Sequence, residues 1–423
     1  MMNSTVLVVA LPFLGAGLAL VLGSHPRALK AVVLLLVAAT MTATVEAAAG
    51  PLALLIVAAA FLTVLGQRMN TEAPLSISLT LLVLGLSLGA LSSVEPLKAW
   101  FLGGAMGVVG LALLRRGRTE GALAQGSAAV LGVGIVSLMA SAVVPGPLGS
   151  LLHLAVCAIL LPLFPLHGGF VGAVAALPGS LPAFLAVALP ILGWQSMTSL
   201  IPHVPAVFWA TVPTLALIGG LYGFVKALAQ RHVGRLLAYT STILFAIVWW
   251  HVAVTGGQGS EAALYVSALA LAMSGLLLAG HQAQVRYGVL DLDRLRGLAH
   301  HMPRFATLVG LLIMAAMGLP LFGVFSGFMG MVFGAAASAP PSMALILMMW
   351  LSASWLLVKL LQDLLFGSPR SDLLYQDLTR TESFSLLLVL ALLLLAGAVP
   401  GGFVHVQPAG QAGVVSLSQE VGR

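Results

Sequence analysis

Apolar runs of about 20 residues recur along the whole chain, and each is long enough to cross about 30 Å of hydrocarbon as an α-helix. Charged residues make up only 7% of the 423 residues, whereas a typical soluble domain contains about 25%. The chain therefore has too few ionic groups to cover a water-facing surface. The sequence excludes a soluble enzyme and a disordered chain, and it predicts an all-α polytopic membrane protein.

Charged and Gly/Pro-rich breaks divide the chain into about fourteen predicted transmembrane spans within a single transmembrane domain, 1–423. The spans are predicted at 5–23, 31–48, 51–67, 75–93, 99–114, 121–143, 151–166, 181–201, 207–229, 236–255, 262–282, 305–335, 342–366 and 384–405. The segments 1–67 and 384–405 are predicted to be peripheral helices.

The charge distribution predicts the orientation of the chain. Connectors after odd-numbered spans carry the arginines Arg27, Arg68, Arg115, Arg116, Arg118, Arg231, Arg235, Arg286, Arg294, Arg296, Arg304, Arg370 and Arg380, together with Lys30. Connectors after even-numbered spans carry little beyond Glu95, Lys98 and Glu261. Short basic loops stay in the cytoplasm, so both termini are predicted on the outer side of a bacterial cytoplasmic membrane. The net charge of +6 is scattered along the chain, which argues against a nucleic-acid partner.

Two predicted spans contain helix-breaking residues. The seventh ends with Pro162 and Pro165, and the overlong twelfth contains a Gly-Leu-Pro turn at 318–320. Proline removes a backbone donor, and such a break survives in a bilayer only inside protein or beside a polar cavity. A simple packing kink is the alternative. Two breaks five spans apart, on helices of opposite direction, predict two inverted five-helix repeats over 75–201 and 207–366, each with a broken helix.

Five segments match, in order, the motifs of one family. They are 165–168 (PLHG), 230–241 (QRHVGRLLAYTS), 293–298 followed by Met302-Pro303, 318–320 followed by 323–328, and 362–367. As a set they resemble the antiporter-like membrane subunits of respiratory complex I, which are related to subunits of membrane hydrogenases, Mrp antiporters and inorganic-carbon accumulating complexes. The resemblance implies proton half-channels that depend on lysines or glutamates buried at mid-membrane.

The positions that correspond to the family's channel residues are apolar in this sequence. The resemblance places the two channel lysines at Leu160 and at Pro190, the two histidines at Leu244 and Leu269, and a glutamate at Phe328. The glutamate of the fifth span has no counterpart in 99–114. A charge at the bilayer centre costs at least about 2.5–3.5 kcal/mol, so a subunit that no longer conducts protons gains stability from such replacements. The resemblance therefore implies a degenerate subunit with a structural or coupling role.

Five ionisable residues remain as candidates for a reduced proton path: His153, His167, Lys226, Lys359 and Asp363. His153 lies on about the same helix face as position 160, and histidine as a residue type can exchange protons near neutral pH. A structural hydrogen bond is the simpler interpretation. The two lysines also have simpler alternatives, because each can extend to the membrane surface and Lys359 can pair with Asp363 four residues later.

The remaining polar and aromatic residues predict interfacial or structural roles. Trp249 and Trp250 are predicted to anchor a span end at the membrane surface, and His251 and His281 are also predicted there. Cys157 lies within an apolar run and is predicted to fill the core. No motif for a nucleotide, flavin, haem, iron–sulfur cluster or metal ion occurs, so no cofactor is predicted.

Three functions remain open. The first is a structural or coupling subunit that packs beside antiporter-like paralogues, with no catalytic site of its own, in a quinone oxidoreductase or hydrogenase-type translocase. The second is an active proton-translocating subunit that uses the reduced set of polar residues. The third is a lipid- or quinone-facing membrane protein that has adopted the fold. The predicted partners are other membrane subunits and lipids.

Overall fold

The protein folds as an assembly of α-helices. The computed structural model describes residues 2–257, 259–288, 291–292, 296–336, 338, 340–367 and 375–399. The α-helices in these ranges, α1 to α17 in chain order, are Met2–Val21, Pro26–Glu46, Pro51–Gly66, Ala73–Ser92, Leu97–Glu120, Ala122–Val143, Pro147–Leu160, Gly168–Ala176, Leu181–Thr198, Ala206–Leu228, Val233–Thr255, Ser260–Tyr287, Leu298–His301, Pro303–Ala316, Gly323–Ala335, Pro340–Leu365 and Arg380–Ala398. No β-strand is found in the described ranges. The predicted all-helical membrane class is confirmed.

Eleven of these helices are long and apolar enough to cross a membrane. Four shorter apolar helices, α3, α7, α14 and α15, complete the segments that the sequence marked as spans. The number of fourteen crossings and the inverted-repeat relationship stay predictions. Arg294, Arg370 and the end of the last predicted span, 400–405, lie outside the described residues.

Helical structure is interrupted at both of the segments where the sequence predicts a broken helix. Helix α7 ends at Leu160, and a separate helix, α8, begins at Gly168. Helix α14 ends at Ala316 and α15 begins at Gly323. The nine-residue helix α8 had no sequence prediction, because an apolar helix shorter than a membrane span gives no length signal.

Burial divides the helices into a central group and an outer group. The most apolar stretch of α12 is entirely buried, and α9 and α11 are nearly so. The outer helices, such as α6 and α10, expose large apolar side chains, which is the arrangement expected where the surrounding solvent is hydrocarbon. The central helices therefore form the protein interior, and both interrupted segments pack against them.

Candidate functional site at the interrupted helices

The first interruption is sealed by neighbouring protein. The carbonyl oxygen of Leu161 accepts a hydrogen bond from the Trp249 indole at 3.0 Å, and the Leu163 amide donates to the Ala158 carbonyl at 3.0 Å. Helix α9 approaches closely through Gly193, where an added Cβ would lie 2.6 Å from the Leu161 nitrogen. These contacts provide partners for backbone groups that the broken helix leaves exposed.

The second interruption is closed by its own turn and by aromatic packing. The Leu319 amide donates to the Met314 carbonyl at 2.9 Å, and Gly318 adopts a positive φ of +81° beneath Trp350. The Phe328 ring, on α15, lies 3.9 Å from the Trp350 ring between centroids. The space beside this break is therefore filled by side chains.

The five positions aligned with family channel residues lie in this packed interior. Four of them, Leu160, Leu244, Leu269 and Phe328, are at most 1% exposed, and Pro190 is also buried within α9. Among the residues whose burial is described, no lysine is buried and Glu382, at the start of α17, is the only buried carboxylate. The described interior thus holds no acid or lysine at any of these five positions.

Hydroxyl groups supply most of the polarity near the centre, and they bond locally. Thr240, Ser241 and Thr242 each donate to the carbonyl one turn earlier in α11, at 2.9, 2.8 and 3.1 Å. The buried Tyr265 hydroxyl donates to the Leu244 carbonyl at 3.3 Å. These hydroxyl groups are therefore bonded to backbone carbonyls.

Two candidates for a reduced proton path, His167 and Lys226, both lie near the aromatic ring of Tyr222. His167 is 7% exposed, and its ring lies 5.2 Å from the ring of Tyr222 on α10. The Lys226 ammonium lies 5.6 Å from the same Tyr222 ring, and Lys226 is exposed. The other candidate of this half, His153, is half-buried on α7, and its Nε2 has no hydrogen-bond partner.

The remaining pair, Lys359 and Asp363, lies on α16. Of the two alternatives that the sequence left open for Lys359, the ion pair is not formed: among the described residues, no contact within 4.0 Å joins the two side chains. The Lys359 ammonium lies instead 5.8 Å from the ring of Trp355, a side chain that is 51% exposed. The structure therefore does not gather the five candidates into one site.

The prediction that Trp249 and Trp250 anchor a span end at the membrane surface was wrong, and the two histidines predicted near span ends are also buried. Trp249 and Trp250 are both 0% exposed, and the Trp250 indole donates to Ser342 at 3.1 Å. His251 and His281 are 4% and 6% exposed. Position near a span end indicated depth in the membrane, but it contained no information about whether the side chain faces lipid or a neighbouring helix.

A cavity of about 360 Å³ opens where the ends of α9, α11 and α12 meet, on the side that the charge pattern assigns to the cytoplasm. It is lined by the His281 ring, whose Nε2 has no hydrogen-bond partner, and by the ion pair of Glu72 with Arg116 at 2.8 Å. Leu237 and Leu277 line it along α11 and α12. The lining of the cavity therefore combines ionisable side chains with the apolar side chains of these two helices.

Sequence reasoning missed a buried ion pair near the start of α17. Arg286 and Glu382 form two hydrogen bonds, at 2.5 and 3.1 Å, and their side chains are 3% and 5% exposed. Glu382 also closes a capping box with Thr379. The T-x-x-E spacing of that capping box was visible in the sequence, whereas the partner Arg286, 96 residues away, was not.

A family model described as "NADH:quinone oxidoreductase/Mrp antiporter, TM" matches residues 134–369, which is more than half of the chain. The chain belongs to this family. The family assignment confirms the resemblance drawn from the five motif segments. Within the described ranges, no group of three His, Cys, Asp or Glu side chains is placed to hold a metal ion.

Relatives and solved structures agree with the family assignment. The chain is 31% identical over 193 residues to NADH-quinone oxidoreductase subunit 13 of Thermus thermophilus, covering 45% of this chain and 40% of the relative. It is 28% identical over 252 residues to subunit M of Escherichia coli K12, covering 57% and 49%. The matches thus span less than half of these two relatives.

The fold is shared over nearly the whole chain. A chain of respiratory complex I from Thermus thermophilus superposes with a TM-score of 0.80 at 24% identity, covering 95% of this chain and 97% of that one. A chain of the Mrp complex from Dietzia superposes with a TM-score of 0.77 at 16% identity, covering 95% of both.

Proposed function

We propose that this chain is an antiporter-like membrane subunit of a multi-subunit complex related to complex I, in which it serves a structural or coupling role and does not conduct protons itself. The observation that carries the proposal is the fully buried apolar interior at Leu160, Pro190, Leu244, Leu269 and Phe328. A proton path needs titratable groups or water at such positions, and close-packed side chains leave room for neither.

Two further features support this proposal. The Phe328 ring, tilted by 30° against the Trp350 ring, occupies the space next to the second interruption. The cavity on the proposed cytoplasmic side meets Leu237 and Leu277 along its walls. A subunit of this kind would supply a rigid helical scaffold between neighbouring membrane subunits, with both termini on the outer side of a bacterial cytoplasmic membrane.

The experiment is proton flux into liposomes that contain the purified chain, measured with a pH-sensitive dye under an imposed potential. We expect flux equal to that of empty liposomes. An active antiporter-like subunit reconstituted in the same way is the positive control. Flux above that of empty liposomes that disappears in His153→Ala or Lys359→Ala would contradict the proposal.

A second candidate function is proton translocation by a reduced path, and two observations favour it. The His153 Nε2 is buried without a partner, and Tyr222 lies between His167 and Lys226. A purified native complex separates the two candidates, because Lys226→Ala and His153→Ala variants would uncouple its proton pumping only if this subunit conducts protons.

The same purification tests the predicted partners. We expect subunits of a quinone-reducing or hydrogenase-type complex, including antiporter-like paralogues, to co-migrate with this chain. Recovery of the chain without any other membrane subunit would favour the third hypothesis, a lipid- or quinone-facing protein that has adopted the fold.

A further inference from the structure

A groove of about 610 Å³ opens between the first turns of α14 and α17. Arg304, Thr307 and Leu308 line one wall, and Arg380, Phe384 and Leu387 line the other. Arg304 and Leu308 are four positions apart, and Arg380, Phe384 and Leu387 are four and then three positions apart, so each wall is a single face of its helix. Phe384 and Leu387 are 52% and 53% exposed, which shows that the apolar part of the groove is open.

The two walls are held together at the top of the groove. The Asp377 carboxylate, in the segment before α17, accepts hydrogen bonds from the backbone amides of Arg304 and Phe305 at 3.0 and 3.1 Å. The nearby Glu382 is buried in its ion pair with Arg286. Both acidic groups beside the groove are therefore already bonded within the protein.

The entrance of the groove carries positive charge. Arg304 and Arg380 are both exposed, and neither guanidinium forms an ion pair with a carboxylate in the described part of the chain. Between them, Ser383 also lines the groove, with its hydroxyl oxygen buried. Guanidinium groups bind phosphate through paired, charge-assisted hydrogen bonds, so the entrance presents donors that match a phosphate group.

We propose that this groove binds one anionic phospholipid. The phosphate lies between Arg304 and Arg380, and an acyl chain runs past Leu308, Phe384 and Leu387. The seven positions from Arg380 to Leu387 correspond to about 10 Å of helix, so the apolar walls extend from the headgroup region into the hydrocarbon. The charge pattern of the connectors places the site in the cytoplasmic leaflet. The site does not depend on whether the subunit conducts protons.

The test is native mass spectrometry of the delipidated full chain titrated with phosphatidylglycerol or with phosphatidylcholine of identical acyl chains. We expect one tightly bound phosphatidylglycerol and weaker phosphatidylcholine binding. The Arg304→Gln/Arg380→Gln variant should weaken phosphatidylglycerol binding by about fivefold for each arginine removed. Arg27→Gln/Arg68→Gln removes the same charge from other connectors and should leave the tight binding unchanged.

Three results would overturn the proposal: equal affinity for the two lipids, an equal loss in both double variants, or no loss in either. Thr307→Trp provides an independent check, because it fills the groove without changing its charge. This variant should lose the tightly bound phosphatidylglycerol, and unchanged binding would also contradict the site.

A neighbouring protein helix is the competing occupant, and photocrosslinking in intact membranes distinguishes the two. A benzophenone side chain in place of Phe384 should form an adduct with the mass of a phospholipid. An adduct with a polypeptide would show that the groove is a subunit interface and would refute the lipid site.

Discussion

At the scale of single residues, buried aromatic side chains fill space in the interior, and some of them donate hydrogen bonds there. Trp249 shows the effect most clearly, because its buried indole satisfies the Leu161 carbonyl at the first interruption. The sequence placed Trp249 near a span end and predicted a lipid-facing anchor. A hydrogen bond across 88 residues of chain gives no local pattern from which it can be read.

Replacement of Trp249 by phenylalanine should destabilise the protein. The substitution removes the indole donor and leaves the Leu161 carbonyl buried without that partner, which costs about 1–3 kcal/mol. Thermal unfolding of detergent-purified protein measures the effect. Trp100→Phe is the matched control, because Trp100 is 67% exposed. An equal loss of stability in both variants would show that the indole hydrogen bond contributes nothing.

At the scale of elements, the sequence predicted the regular helices well and the contacts between them poorly. The predicted span at 236–255 corresponds to helix Val233–Thr255, because its ends are marked by polar and glycine residues. The breaks near Pro165 and Gly318 were also recognisable, since proline and glycine have fixed backbone preferences. The pairing of α12 with α17 depends on tertiary packing, which one sequence does not reveal.

The ion pair between α12 and α17 should contribute strongly to stability. Replacement of Glu382 by glutamine leaves the Arg286 charge buried without a counter-ion, and such a loss costs about 3–5 kcal/mol. We expect a marked fall in the midpoint of thermal unfolding. The measurement is the same detergent-based melt, and the folded yield on size exclusion reports whether α17 still docks.

Glu72→Gln is the control for this prediction, because it breaks a second ion pair, the one that Glu72 forms with Arg116. The Arg116 side chain is 28% exposed and the Glu72 side chain is 49% exposed. An ion pair in contact with solvent contributes about 0–1 kcal/mol to stability. A smaller effect from Glu382→Gln than from Glu72→Gln would mean that burial does not make the Arg286 pair important.

At the scale of the whole molecule, the family's motifs are retained, whereas the ionisable residues expected at its channel positions are not. The motif segments that identified the family lie in connectors, at breaks and along the adjoining ends of α11, α15 and α16. The ionisable residues expected from the family lie in helix interiors, where any apolar side chain of suitable volume preserves the packing. This difference explains how the fold and family were predictable from sequence while the candidate site was not. The five polar candidates are spread over α7, the segment before α8, α10 and α16, and only packing determines which of these elements meet.

The basic connectors predict the orientation of the whole chain, and this prediction is testable with the single native cysteine removed. Cys157 is completely buried, so Cys157→Ala provides a background with no cysteine. His25→Cys and Val94→Cys then place one thiol in an odd-numbered or an even-numbered connector, and both positions are exposed. Because basic loops remain in the cytoplasm, a membrane-impermeant maleimide added to intact cells should label Val94→Cys and leave His25→Cys unlabelled until the cells are permeabilised. The opposite labelling pattern would show that the orientation is inverted. The groove between α14 and α17 and the cavity lined by His281 would then lie on the outer side of the membrane.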